Sequence, residues 1–252
     1  MLDSIWLYPL LFATSLIAGW IDSIAGGGGL ITIPVLLGVG LPPQMVLGTN
    51  KFQASFGSFT AAYYYVRKGV APLRQARPGI IFTFIGSAVG TWAVQQIEPS
   101  ALNIVIPFLL LGIAVYMLFT PSVGETERHP RLSSLLFFLV FGLSLGFYDG
   151  FFGPGVGSFW AIAFVGLMGF DLLRATGYTK VMNFTSNVVS FALFLAGGHV
   201  LVTAGLVMAA GQIVGARIGS GMVIARGVKL IKPIFVVIVI LTTLKLLYNR
   251  FA

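Results

Sequence analysis

The sequence predicts an all-α integral membrane protein of two inverted-topology repeats, with Gly-rich broken or re-entrant helices and about eight to ten membrane segments. Three observations predict it. Of 252 residues, 57% are hydrophobic and 9% charged, against about 25% charged in a soluble domain. Apolar stretches near the length that crosses a hydrocarbon core of about 30 Å recur along the chain and leave no room for a soluble domain. An Asp followed by a Gly-rich run occurs twice, each time in the same order with the residues around it.

The mean hydropathy is +0.97, so the chain cannot cover itself with a wetted surface. The net charge of +8 comes from basic residues lying between apolar segments. Positive-inside orientation explains that placement better than nucleic-acid binding does. The absence of Cys excludes disulfides, thiolate metal sites and Cys nucleophiles. With two His residues a His-built metal site is not expected, and no cofactor is. The N-terminal stretch to Trp20 lacks the basic flank and cleavage site of a secretory signal and reads as a retained first helix.

The apolar segments fall at 5–21, 30–41, 45–66, 78–96 and 101–119, then at 133–148, 157–170, 172–195, 200–224 and 231–248. Those flanking the Gly-rich runs are short for a full crossing and fit half-helices or a hairpin. This divides the chain into a first membrane repeat (1–119), a cytoplasmic linker (120–132) and a second repeat (133–252).

The repeat is visible residue by residue. Asp22 with its four following glycines aligns with Asp149-Gly-Phe-Phe-Gly-Pro-Gly, 127 positions later. From there the offset becomes 129, placing Lys51 on Lys180 and Gly86…Gly90 on Gly215…Gly219. Charge gives the relative orientation. The loop with Arg67, Lys68, Arg74 and Arg77 is basic, whereas its counterpart around His199 carries no Lys or Arg. The next loop reverses the bias, with Glu98 set against Arg226, Lys229 and Lys232. Basic loops face the cytoplasm, so equivalent loops lie on opposite sides, as in many secondary transporters.

Most charges sit at segment ends, but Asp22, Lys51, Asp149, Lys180 and Arg217 do not. A central Asp, Lys or Arg costs about 2.5–3.5 kcal/mol on insertion scales and usually faces a cavity or a partner. The bland reading pairs Asp22 with Lys51 and Asp149 with Lys180 as structural ion pairs within each half. The runs Gly27-Gly28-Gly29 and Gly153-Pro154-Gly155-Val-Gly157 are poor helix. Non-helical backbone survives in lipid only where protein or a cavity surrounds it. Each run therefore reads as a break before a new helix, whose exposed N–H groups suit an anion. Close packing through small residues is the rival explanation. A polar stripe follows each Lys: Asn50, Gln53 and Ser55 in the first half, Asn183, Ser186 and Asn187 in the second. These amides and hydroxyls can bind an oxyanion, or merely join helices. Gln212 and Arg217 are weaker candidates, and Arg217 has Ala88 at its aligned position. Tyr63-Tyr64-Tyr65 reads as an interfacial aromatic belt, and His129 as solvated.

Ile21-Asp22-Ser-Ile-Ala-Gly-Gly-Gly-Gly-Leu with Gly48-Thr-Asn-Lys51, and Gly146-Phe-Tyr-Asp149-Gly-Phe-Phe-Gly-Pro-Gly with Tyr178-Thr-Lys180-Val-Met-Asn183, resemble the TauE/SafE sulfite exporter family. Gly211-Gln-Ile-Val-Gly-Ala-Arg217 and Lys229-Leu-Ile-Lys-Pro233 extend the likeness over nearly the whole chain. One departure is Tyr178, where many members carry a small residue or His. The resemblance implies a multi-pass transporter of the bacterial cytoplasmic membrane that handles sulfite, sulfonates or related anions, often in export. The expected partners are the lipid bilayer and a small anionic substrate, with a homodimer as one option and no nucleic acid. The site expected is Gly27, Gly28, Gly29, Asn50, Lys51, Gln53, Ser55, Gly155, Gly157, Lys180, Asn183 and Asn187, with Asp22, Asp149 and Arg217 in coupling or structural roles. A cation or proton-coupled transporter using Asp22 and Asp149 as ion ligands is the alternative. An enzyme is not expected, because the chain shows no nucleophile–base pair, helical His pair or recurrent Ser-His-Asp constellation.

Overall fold

A computed structural model of the protein describes residues 6–119 and 129–226. The expected segment 231–248 and most of the linker lie outside these residues. The described residues form helices joined by short turns, with no strand among them. We number them α1 (Leu7–Ala25), α2 (Gly29–Gly38), α3 (Pro43–Arg67), α4 (Leu73–Gln95), α5 (Pro99–Phe119), α6 (Ser134–Phe151), α7 (Val156–Met168), α8 (Leu172–Ala196) and α9 (Val202–Arg226). The last five turn residues before α6 include Ser133, whose hydroxyl accepts from the Leu136 N–H and caps the helix. Within α6, Phe138–Gly142 is wound as a π-helix.

The expected segments and the observed helices agree to within a few residues, except that α4 starts at Leu73, ahead of Pro78. Among the described residues, four helices are long and apolar enough to cross a membrane: α1, α4, α6 and α9. Large apolar side chains such as Trp6, Phe59, Ile81, Phe84, Trp92, Phe108 and Leu206 point outward, a surface that suits lipid and not water. Of the three 25-residue helices, α3 and α8 are the polar ones. They bury Asn50, Lys51, Gln53, Ser55 and Ser58 on α3, and Thr179, Lys180, Asn183, Ser186, Asn187 and Ser190 on α8.

Helix directions follow from which residues meet. Phe52 stacks on Phe191 with centroids 4.5 Å apart, and Phe59 meets Phe184 at 5.3 Å, so α3 and α8 run antiparallel. On α9, Gly211, Gly215 and Gly219 lie in turn against Phe12 and Leu16, Leu16 and Trp20, and Trp20 and Ser23, so α1 and α9 run parallel. On α4, Gly86 lies against Leu143 and Phe147, and Gly90 against Phe147 and Phe151, so α4 and α6 also run parallel. Both pairs use small residues four apart, which lets backbones approach where lipid supplies no hydrophobic drive. The two contacts match in detail: Leu143 and Phe147 stand 127 positions after Leu16 and Trp20, and Gly215 stands 129 after Gly86. Each half thus packs its first helix against the fourth helix of the other half.

The ends of the bundle differ in charge. Arg67, Lys68, Arg74 and Arg77 flank the α3–α4 turn, and Arg174 joins them through its bond to Gln75. Arg131 comes to the same end through its N–H bond to the Leu167 carbonyl. The opposite end carries Glu98 and His199, with Gln44 bonded to the Ile97 carbonyl and His199 against Gln95.

Candidate functional site

Both Gly-rich runs break the helix. α1 ends at Ala25, Gly26 and Gly27 take positive φ (78° and 101°), and α2 starts at Gly29. In the second half the chain leaves α6 at Phe151 and re-enters helix at Val156, capped by Gly155 in the left-handed conformation. Pro154 lies within the break, its carbonyl accepting from the Tyr148 hydroxyl at 2.6 Å. The breaks touch: a Cβ on Gly26 would come within 2.6 Å of the Gly157 Cα, so only glycine permits this approach.

The four central charges, all buried except the half-buried Asp22, pair across the halves. Lys51 Nζ meets Asp149 Oδ1 at 2.5 Å, and Lys180 Nζ meets Asp22 Oδ2 at 3.1 Å. The expectation of pairs within each half is therefore corrected: each Lys reaches the Asp of the other repeat. The physical reason is the antiparallel crossing of α3 and α8. Each Lys is ninth of 25 residues in its helix, so the two enter the crossing from opposite ends. Each then lies nearer the opposite repeat's break.

Around this core the amides form a network. Lys51 Nζ also donates to Asn187 Oδ1 at 3.3 Å, and the Ser186 hydroxyl donates to Asp149 Oδ2. Lys180 Nζ donates to the Asp22 carbonyl as well as its carboxylate. Asn50 Oδ1 accepts from Thr32 Oγ1 at 2.5 Å and from Gln53 Nε2 at 2.9 Å. Asp22 Oδ1 accepts the Gly28 N–H at 3.1 Å. The N-terminus of α2, expected to receive a substrate anion, is thus occupied by the protein's own carboxylate.

Between these groups lies a cavity of about 30 Å³, lined by Asp22, Gly27, Gly28, Gly29, Asn50, Lys51, Gln53, Asp149, Gly153, Pro154, Asn183, Asn187 and Gln212 among others. That is room for about one water. Two buried wall atoms, Gln53 Oε1 and Asn183 Oδ1, have no hydrogen-bond partner, and a buried polar atom left unpaired is costly. The cavity is thus a polar pocket with less room than an oxyanion fills.

Most of the residues singled out by the sequence reach this cavity, and five do not; Lys180, the first of them, pairs with Asp22 from outside the lining. Ser55 donates to the Lys51 carbonyl within α3. Gly155 lies against Ile113, and Gly157 serves the contact with Gly26. Arg217 is on the outer face of α9, its guanidinium 4.3 Å from the Tyr64 ring centroid, as a snorkelling cation would sit. Of the tyrosine trio only Tyr63 is well exposed; Tyr65 is buried, donating to the Ser23 carbonyl. Tyr178 is buried on α8 and donates to Gln75 Oε1 at 2.7 Å. The sequence underrated Gln212, placed Gly153 in the break but not in the site, and overlooked Thr32. Gln212 had a legible signal, a lone amide among small residues of an apolar helix. Gly153 was legible as part of the break, but its place against the lysine comes from fold: φ is +99°, and a Cβ there would sit 2.8 Å from Lys51 Nζ.

Residues 11–246 match the family described as "Sulfite exporter TauE/SafE". A Haemophilus influenzae protein named "Probable membrane transporter protein" is 50% identical over 244 residues, covering 97% of this chain and 96% of its own. Escherichia coli "Probable membrane transporter protein YfcA" is 45% identical, covering 96% of this chain and 90% of its own. The Arabidopsis thaliana "Sulfite exporter TauE/SafE family protein 6" is 29% identical over 44% of this chain and 26% of its own. No solved structure matches. Bacterial relatives and apolar spans make this a multi-pass protein of the bacterial cytoplasmic membrane. By the match over 11–246, the chain belongs to the sulfite exporter TauE/SafE family.

Proposed function

We propose that the protein is a secondary transporter of small sulfur-containing oxyanions, sulfite or organosulfonates, that alternates access to the central cavity and works as an exporter. The observation that carries this reading is the crossed pair of ion pairs, Lys51–Asp149 and Lys180–Asp22, buried where the two helix breaks meet. The names of the bacterial relatives support the coarser statement that it is a membrane transporter. The two halves, 1–119 and 133–252, act as inverted repeats joined by the linker 120–132. Support comes from the antiparallel run of α3 against α8 and from the matched contacts of α1 with α9 and of α6 with α4. By the positive-inside rule, the end with Arg67, Lys68, Arg74 and Arg77 faces the cytoplasm.

Lys51 and Lys180 supply the positive potential, and Asn50, Gln53, Asn183 and Asn187 the hydrogen bonds. Asp149 and Asp22 hold the lysines in place when no substrate is bound. Because the cavity holds about one water, binding requires the halves to part, and parting them breaks one crossed ion pair. Counterflow of labelled sulfite, sulfoacetate and methanesulfonate in proteoliposomes tests the reading. Unchanged flux after Lys51→Gln and Lys180→Gln together would falsify the site assignment.

One observation favours a second reading. The unpartnered Gln53 Oε1 and Asn183 Oδ1, with Asp22 and Asp149, are four oxygen sources around one cavity, as a hard cation requires. Thermal stabilisation by Na⁺ or Mg²⁺, with none by sulfite or sulfonates, would establish that reading in place of the first.

A further inference from the structure

We propose that Asp22 takes up the coupling proton and that one proton accompanies each monovalent anion, an inference that rests on the anion reading above. Asp22, Lys51 and Asp149 line the cavity, Lys180 pairs with Asp22 just outside its lining, and each of the two lysines is thus already paired with an aspartate. The formal charge of the closed site is therefore zero. Adding an anion to it leaves one buried charge without a counterpart, which costs several kcal/mol. A positive charge has to arrive with the substrate. A metal ion would bring its own demand for about six oxygen ligands, in a cavity that must already widen for the anion. A proton needs no added volume.

The two carboxylates differ in their fitness for that proton. The Asp149 side chain is 3% exposed, held by Lys51 at 2.5 Å and by the Ser186 hydroxyl. The Asp22 side chain is 22% exposed. Lys180 holds Asp22 through the backbone carbonyl as well as the carboxylate. When the carboxylate is neutralised, the carbonyl keeps Lys180 in place, with its charge free for the anion. Asp149 offers no such second anchor for Lys51. The titratable groups facing Asp22 are Lys180 from α8, Lys51 from α3 and Asp149 from α6, with the Tyr65 hydroxyl nearby on the Ser23 carbonyl. α2 and α7 carry no titratable side chain, α9 contributes only the amide of Gln212, and Arg217 points outward over Tyr64.

The test uses the purified full chain in proteoliposomes with labelled methanesulfonate, whose charge does not change near neutral pH. A one-unit pH gradient should drive about tenfold accumulation, the ratio set by an electroneutral one-to-one couple. A potassium–valinomycin potential of either sign should leave it unchanged, and a trapped pH dye should report one proton per anion. Asp22→Asn should abolish the accumulation, and Asp22→Glu should restore it in part. Accumulation that follows a Na⁺ gradient or the membrane potential overturns the proposal, as does full accumulation by Asp22→Asn. Should either variant fail to fold, the dye measurement on the natural chain decides alone. Counterflow without pH-driven accumulation refutes the coupling and spares the anion reading; no counterflow of sulfite, sulfoacetate or methanesulfonate refutes both.

Discussion

Breaking the Lys51–Asp149 pair from either side should destabilise the protein more than breaking the Lys180–Asp22 pair, and the two partners should couple across the repeats. Lys51→Met leaves Asp149 with only the Ser186 hydroxyl, and Asp149→Asn leaves Lys51 with only Asn187, in a place where both side chains are 3% exposed or less. An uncompensated charge of this kind costs about 3–5 kcal/mol. At about 2–4 °C per kcal/mol for a chain of this size, the melting temperature should fall by about 6–20 °C. The double variant Lys51→Met/Asp149→Asn removes both charges and should recover at least about 2 kcal/mol of the additive loss, within the range of measured couplings. Asp22→Asn should cost less, about 1–3 kcal/mol, because Asp22 is 22% exposed and its carbonyl still holds Lys180. The assay is thermal unfolding in detergent followed by tryptophan fluorescence, run as a double-mutant cycle. A larger coupling between Lys51 and Asp22 than between Lys51 and Asp149 would mean that the charges pair within each half and that the crossed arrangement is wrong.

Three further outcomes follow from the packing. Gly153→Ala introduces a Cβ at φ +99° and 2.8 Å from Lys51 Nζ, so backbone strain of about 1–2 kcal/mol should accompany a marked fall in transport, measured by counterflow. Arg217→Gln should leave transport within about twofold of the natural rate, since Arg217 lies over Tyr64 outside the cavity; a null transporter would place Arg217 in the substrate path. Gly86→Leu and Gly215→Leu meet backbone atoms of Leu143 and Phe147, and of Leu16 and Trp20. Each should cost about 1–3 kcal/mol or more by overpacking, and similar losses of melting temperature in the two are the signature of equivalent contacts.

By itself the sequence determined that the chain is helical and membrane-embedded, roughly where its helices begin and end, and that five charges lie away from segment ends. Hydropathy and glycine runs are local signals, and helices are local structures, so the helices α1 to α9 were legible to within a few residues, apart from the start of α4. The sequence also carries the offsets of 127 and 129 that relate residues of the two halves one by one. What the tertiary structure decided is who meets whom. Lys51 lies 29 positions from Asp22 in the sequence and 98 from Asp149, yet pairs with the latter. The antiparallel crossing of α3 and α8 sends each lysine to the other half's break, and no periodicity records a crossing. The same holds for Arg217, whose central place in an apolar helix suggested a buried role until the packing of α9 on α1 turned it toward Tyr64. It holds also for the helix N-terminus that seemed open to an anion, since only the fold brings the Asp22 carboxylate back six residues to the Gly28 N–H. Sequence fixes which groups are costly to bury; the three-dimensional packing fixes which opposite charge offsets that cost.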